Sequence, residues 1–394
     1  DFEFIKKMGW KSYIEKASAD KSLGKIVLGT VASAIAVRYL AKSIPAYLNR
    51  RRNAAKAAAR REKLAKKIAD SKKLIPKLEI TEEKRRMILE ADVTKLLQLL
   101  DQKATTSEEI LVIYYQQAIT MNEKFNFLTD VCFEEALKTA REYDQLRHTD
   151  PKVKEKLLFG IPVSVKDCIN QKGFDNTCGI INRIDILHEK DAVGLAKLIE
   201  HGAIPFVRTN VPQAMLSFAC ENAVFGETTN PWNATRTPGG SSGGESAIVA
   251  SLGSPLGVGT DIGGSVRIPS SFCGLVGFKP TVGRISNQGF GTGVLSAMGQ
   301  HYIRSTIGPI AKTVDDCNLF MRCAATSHEV DPYSAKQPWD DKLTHLTQTG
   351  PLRIGYYKSL DMIYASASSQ RATQEVVDKL KSLGHELIEI SIPN

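Results

Sequence analysis

Lys166, Ser241 and Ser265 are the residues whose types and spacing could do chemistry. Lys166 closes the run Gly160-Ile-Pro-Val-Ser-Val-Lys166, whose alternation predicts a strand with Ile161, Val163 and Val165 on one face and Ser164 and Lys166 on the other. Ser241 lies 75 residues further on and Ser265 another 24 beyond it, each within a glycine-rich segment: Pro238-Gly-Gly-Ser-Ser-Gly-Gly-Glu245 and Gly259-Thr-Asp-Ile-Gly-Gly-Ser-Val-Arg-Ile-Pro269. One reading uses both serine-bearing loops together with Lys166, the lysine amine serving as a base for a serine hydroxyl. The amine must be neutral for this. At an ordinary lysine pKa of about 10.4 only about one molecule in 2,500 is neutral at pH 7, so the chemistry requires a dry pocket, which lysine tolerates by shedding its charge and arginine does not. Two other readings fit the same residues. Gly239-Gly-Ser241-Ser-Gly243 matches the G-x-S-x-G nucleophile elbow, with His301, His328, His345 and His385 downstream as bases. A glycine-rich loop can also cradle phosphate, although there is no GxxxxGK[S/T] here and no GxGxxG after a strand.

The elements that must position these side chains follow from periodicity. Leu89 to Leu100, Glu108 to Phe125 and Asp130 to Leu146 read as amphipathic helices. Residues 160–166 and 203–208 read as strands, with a helix from Ala192 to His201 between them stopped by Gly202. Further on, Leu352 to Tyr357 and His385 to Ile392 read as strands around a helix from Ser368 to Leu383. Strands separated by helices predict an α/β fold with a mixed, largely parallel sheet flanked by helices. Residues 239–277 hold 11 of the 29 glycines, a density expected to serve close backbone approach and to add nothing to a hydrophobic core.

The 394 residues, 42% hydrophobic and 24% charged, suffice for one large or two smaller domains and exclude a disulfide-stapled miniature, a collagenous chain or a wholly disordered one. The net charge of +9 is unevenly placed: residues 1–75 carry 19 Lys and Arg against 6 Asp and Glu, and the remainder is net −4. The body is therefore not a basic surface, and the seven cysteines, with no CxxC pair or zinc spacing, predict reduced, mostly buried thiols in a cytosol-facing setting. Within the basic part, Ile26 to Val37 is an uncharged run of 12 residues, continued past Arg38 by further apolar residues. It is short for a bilayer span of about 20, yet Lys25 and Arg38 could snorkel, so 26–48 is expected to be a transmembrane or interfacial anchor helix. Twelve basic and two acidic residues from Lys42 to Lys73 place that side on the cytoplasm and predict a helix that adheres to an anionic leaflet or serves as a solvated spacer. No aromatics are interleaved there, so nucleic acid is not an expected partner. The expected organisation is a segment 1–25, the anchor 26–48, a basic helix and linker 49–84, and a catalytic body 85–394.

Taken together, Gly160 to Asp167, Thr209-Asn-Val-Pro212, Asn230-Pro-Trp-Asn233, Thr237 to Ser246, Gly259 to Ser270 and Gly277-Phe-Lys-Pro-Thr281 resemble the amidase signature family. Ser217-Phe218, Gly226, Gly253-Ser-Pro-Leu-Gly257 and the apolar-then-basic N-terminus are most similar to its membrane-anchored fatty-acid amide hydrolases. The resemblance covers roughly Leu89 to Asn394. It implies Ser265 as nucleophile, Ser241 as bridging hydroxyl after a cis Gly240-Ser241 peptide, and Lys166 as base, with no metal or organic cofactor. The backbone N–H groups of Ile262, Gly263, Gly264 and Ser265 would receive the oxyanion, with Met215 and Ser241 also touching substrate. Ser242, Asp261 and Arg267 would hold the loops, the last two as an ion pair. Leu216 and Phe218 would line an acyl channel. The implied activity is hydrolysis of fatty-acid amides to fatty acid and amine on a membrane such as the endoplasmic reticulum, with a lipid amide and a second copy of the chain as further partners. A small-amide amidase, an amidotransferase subunit, or a silent shortened relative, since the chain ends about a third short of the family's length, are the alternatives.

Overall fold

The computed structural model describes residues 21–290, 303–337, 339–340, 350–360 and 364–391. Its first element, helix α1 (Lys21–Leu74), is a single 54-residue helix that runs through Pro45. It joins what the sequence divides at residue 48 into anchor and basic helix. Among the described residues no helix is long and apolar enough to cross a membrane, because Arg38 and Lys42 interrupt the apolar run before it reaches the required length. The expected transmembrane span is thus replaced by the front of a longer helix.

The rear of α1 is neither a spacer nor wholly solvated. Ala57, Arg60, Leu64 and Ser71 recur at helical spacing and are all buried. Leu64 packs with Ile184, Val224 and Phe225, with Ile68 and Ile181 beside them. Around that face Arg61 donates to the Val224 carbonyl at 2.7 Å, and Lys63 pairs with Asp185 at 2.7 Å.

After α1 come α2 (Glu82–Glu90), α3 (Val93–Asp101) and α4 (Ser107–Phe125). Thr81, Asp92 and Thr106 cap their first turns, and Thr106 and Glu109 form a reciprocal capping box. Next are β1 (Leu128–Val131), α5 (Phe133–Leu146), β2 (Ile161–Lys166), α6 (Val193–Glu200) and β3 (Ala203–Thr209). The short pair β4 (Glu221–Asn222) and β5 (Gly226–Glu227) precedes α7 (Gly243–Ala250), β6 (Leu256–Asp261), α8 (Arg267–Cys273), β7 (Val276–Gly277), β8 (Thr306–Ala311) and α9 (Val314–Ala324).

Six strands form one sheet in the order β1-β3-β2-β6-β8-β7. Only its centre is parallel: β2 pairs parallel with β3 and β6, whereas β1, β8 and β7 attach antiparallel. The sheet is therefore mixed, with less parallel character than the βα alternation suggests. From β2 the chain continues to β3 on one side and later returns to β6 on the other. This makes the β2–β6 seam a switch point, where the carboxyl ends of parallel strands leave a crevice.

Contrary to the expectation for the glycine-rich stretch, its central elements are core. Helix α7 is buried from Gly243 to Val249, and every residue of β6 is buried. The glycines let these two elements touch. A Cβ on Gly257 would lie 2.5 Å from the Glu245 carboxylate oxygen Oε2, and one on Gly259 2.9 Å from Val266 and 3.0 Å from the Ser242 hydroxyl. Gly257→Ala is expected to cost about 2 kcal/mol of stability in urea unfolding, because Glu245 is locked in place from both sides.

The chain divides into two compact units, residues 1–336 and 337–394. The second holds β9 (Arg353–Tyr356), α10 (Ala367–Ser382) and β10 (Glu386–Glu389), with β9 and β10 paired in parallel. All seven cysteines are free and buried, in line with the thiol expectation.

Candidate active site

Lys166 stands at the carboxyl end of β2, at the seam with β6, and is fully buried. Its Nζ donates to the Ser241 hydroxyl at 2.8 Å and to Thr260 twice, to Oγ1 at 2.8 Å and to the carbonyl at 3.2 Å. Burial pushes the Lys166 amine below its usual range, while the nearby Cys168, Cys178 and Asp261 act weakly the other way. This is the direction a lysine base needs. The peptide before Ser241 is cis, as the resemblance implies, and Ser241 is 2% exposed.

Ser265 lies in the loop between β6 and α8 and retains 8% exposure. Backbone ties its loop to that of Ser241: the Ser242 N–H donates to the Ser265 carbonyl at 3.0 Å. Ser242 Oγ adds a contact to the Thr260 carbonyl at 3.3 Å. Lys166 and Ser241 are hydrogen-bonded, whereas the Ser265 hydroxyl makes no hydrogen bond among the described residues.

Asp261, at the end of β6, organises the Ser265 loop. Its carboxylate accepts the N–H groups of Gly264 at 2.7 Å, Val266 at 3.0 Å and Arg267 at 3.3 Å, and both Nε and NH2 of Arg267 at 3.0 Å. The expected ion pair is thus a bidentate fork. It bears on the N–H groups that the resemblance implies as oxyanion donors: the Gly264 N–H is already committed to Asp261. The N–H groups of Ile262, Gly263 and Ser265 have no acceptor among the described residues, and the space beside Gly263 is open, with no atom within 4 Å of a Cβ placed there.

Burial favours a higher Asp261 pKa, but Arg267 and the three N–H groups outweigh it and hold the carboxyl at about 2. A carboxyl pKa depressed on folding stabilises above its unfolded value and loses that contribution as pH falls through the folded one. The loop should therefore loosen between about pH 4 and pH 2, with amide exchange at Gly264 and Val266 accelerating in that window. In Asp261→Asn the exchange should be fast throughout and show no such step.

Residues outside the expected set complete the site. Thr260 holds Lys166 from behind with two oxygens. Glu245, in the first turn of α7, is fully buried and receives the Ser164 hydroxyl at 2.6 Å and the Thr209 hydroxyl. It thereby ties α7 to β2 and β3 beside Lys166, which pairs in register with Thr209. Burial pushes its carboxyl up to about 7, partly offset by those two hydroxyls. Neither a threonine in β6 nor an acid in the first turn of α7 signals such a role by residue type.

Met215 and Ala214 sit in a tight turn at φ of 60° and 56°, an uncommon conformation for side chains that have a Cβ. The following segment abuts the Ser241 loop: a Cβ on Gly240 would lie 2.5 Å from the Ser217 carbonyl and 3.2 Å from Phe218 Cα. Leu216 and Phe218 are 74% and 59% exposed, so among the described residues they stand open beside the loop and line no enclosed channel. Among the described residues no histidine is hydrogen-bonded to Lys166, Ser241 or Ser265. His328 and His385 bond locally, to the Ala325 carbonyl and to the Leu352 N–H, and His301 and His345 lie outside the described residues. Ser241 has Lys166 as its partner, which removes the support for the nucleophile-elbow reading.

This combination of mixed sheet, buried lysine and two serine loops defines an amidase fold, and residues 109–394 match the amidase family model. The chain belongs to the amidase signature family. It is 38% identical over 309 residues to vitamin D3 hydroxylase-associated protein of Gallus gallus, covering 78% of this chain and 64% of that one. It is 35% identical over 360 residues to fatty-acid amide hydrolase 1 of Sus scrofa, covering 91% of this chain and 58% of that one. Among solved structures a fatty acid amide hydrolase matches with a TM-score of 0.75 at 29% identity, over 86% of this chain and 63% of that chain. The chain thus spans about three fifths of the length of these relatives.

Proposed function

We propose that the protein is a serine amidase that hydrolyses fatty-acid amides through Ser265, Ser241 and Lys166. The observation that carries this reading is the buried Lys166 amine 2.8 Å from the Ser241 hydroxyl, beside a serine loop with free N–H donors. Neutral Lys166 takes a proton from Ser241 as Ser241 takes one from Ser265, and Ser265 Oγ attacks the amide carbon. The N–H groups of Ile262, Gly263 and Ser265 receive the oxyanion. Collapse breaks the C–N bond, and the proton held on Lys166 returns through Ser241 to the leaving amine. Water then attacks the acyl-enzyme with Lys166 again as base, freeing the carboxylic acid and Ser265. The Ser241–Ser265 contact forms with substrate in place, as catalytic hydrogen bonds that are loose in free enzymes commonly do.

The lipid substrate is supported by the similarity to fatty-acid amide hydrolases and by Leu216 and Phe218, which offer apolar surface at the mouth of the site. Membrane association, on the cytoplasmic face of an endomembrane, is supported by the front of α1. There Ile35, Val37, Tyr39, Leu40, Ile44, Tyr47 and Leu48 are all exposed and are followed by Arg50-Arg51-Arg52, which suits interfacial binding to an anionic leaflet. A second copy of the chain is a fitting partner for the same apolar surface.

Each buried CH2 is worth about 0.8 kcal/mol, so a long-chain primary amide should exceed acetamide in kcat/KM by about 100-fold or more. Equal rates would overturn the lipid reading and favour a small-amide amidase. Sedimentation with vesicles checks the membrane reading, which requires more protein in the pellet with anionic than with neutral lipid, and no pelleting with either would overturn it.

A further inference from the structure

Helix α1 brings cations to a part of the catalytic body that holds an excess of buried carboxylates. Arg60 is 3% exposed, and its guanidinium donates to Asp130 at 2.8 Å and to Asp175 at 3.1 Å. Asp130 belongs to β1, and Asp175 to the segment after β2, where its other oxygen accepts the Asp185 N–H at 2.9 Å. Two turns along α1, Lys67 donates to the second oxygen of Asp130 at 2.7 Å. The third carboxylate, Asp167, directly follows Lys166, is buried, and accepts from Thr177 at 2.5 Å. It faces Arg208 at 3.6 Å and is also within electrostatic reach of Arg60.

Asp130, Asp167 and Asp175 are therefore balanced by Arg60, Lys67 and Arg208, and two of these three cations come from α1. In a dry interior such a balance matters, because an unmatched negative charge acts over long distances and favours a protonated amine nearby.

We propose that Arg60, assisted by Lys67, is a positioning residue for the base: docking of α1 neutralises the carboxylates behind the end of β2 and so keeps Lys166 free to be uncharged. The inference rests on Lys166 acting as the base. The other titratable groups around Lys166 are Asp261 from β6, Glu245 from α7, Cys168 and Cys178 after β2, and Cys220, and none of them is altered in the variants below.

The test is the rate at which a fluorophosphonate probe labels the full chain, followed across roughly pH 6 to 10. Arg60→Met is expected to label roughly ten-fold more slowly at pH 7 and to recover at the alkaline end, because its rising limb moves to higher pH. Arg60→Lys keeps the charge and should keep the wild-type limb even with lower thermal stability. Arg60→Met combined with Asp130→Asn removes one charge of each sign and should move the limb back. An unmoved limb in Arg60→Met, or slowing by one factor at every pH, would overturn the proposal. If Arg60→Met does not fold, Lys67→Met, at a half-exposed position, must show a smaller shift of the same sign, and an unshifted profile there overturns it equally. The two levels separate cleanly. A wild-type profile without a limb that Lys166→Ala abolishes defeats the reading of the base, whereas a limb that is present but indifferent to Arg60 defeats only this inference.

Discussion

Ser265→Ala is expected to lower amide turnover by about 10⁴-fold or more while leaving the fold intact. Ser265 is the one hydroxyl of the site that is neither fully buried nor committed to a hydrogen bond among the described residues, so removing it deletes the attacking atom and disturbs little else. Its carbonyl still accepts from the Ser242 N–H, and Asp261 still gathers the Gly264 and Val266 N–H groups, so the loop keeps its shape. The residual rate would come from the N–H donors and substrate positioning alone. Kinetics with a long-chain amide, together with an unchanged melting temperature, check this. A loss of less than about ten-fold would mean that another group attacks.

Lys166→Ala should cost about 10² to 10⁴-fold and remove the rising limb of the pH profile. The sign follows from the site. Burial lowers the Lys166 pKa, so activity should climb as pH rises through that value and the amine becomes neutral. Without the amine the limb has no titrating group. Lys166→Arg should not rescue, because a guanidinium stays charged and cannot accept the proton from Ser241. A Lys166→Ala protein with the wild-type limb would remove lysine from the mechanism and leave Ser241 without a base.

The parts of the site that depend on local pattern were legible in the sequence. Strand β2 is announced by its alternation, and the loops around Ser241 and Ser265 by their glycines and motif order. Contacts that depend on register were not. Thr260 reaches Lys166 because β6 lies beside β2, yet β6 reads Leu-Gly-Val-Gly-Thr-Asp, a glycine-rich run with only two large apolar residues, its glycines being fixed by Glu245, Val266 and Ser242 across the interface. Strand β8 is disguised in the same way: a Cβ on Gly308 would lie 2.3 Å from the Phe278 carbonyl. Glu245 resembles an ordinary acid in the first turn of a helix, and only the fold turns it into a buried clamp. In α1 the buried face has helical spacing, but Arg60 occupies its centre. A basic residue in a basic stretch reads as solvated until its two carboxylate partners, 70 and 115 residues away, are brought to it.

The most direct test of the account is to identify by mass spectrometry the residue that a fluorophosphonate modifies. A single adduct on Ser265 is expected, formed at a rate that collapses in Lys166→Ala. An adduct on a different residue, or labelling of Ser265→Ala at the wild-type rate, would contradict it.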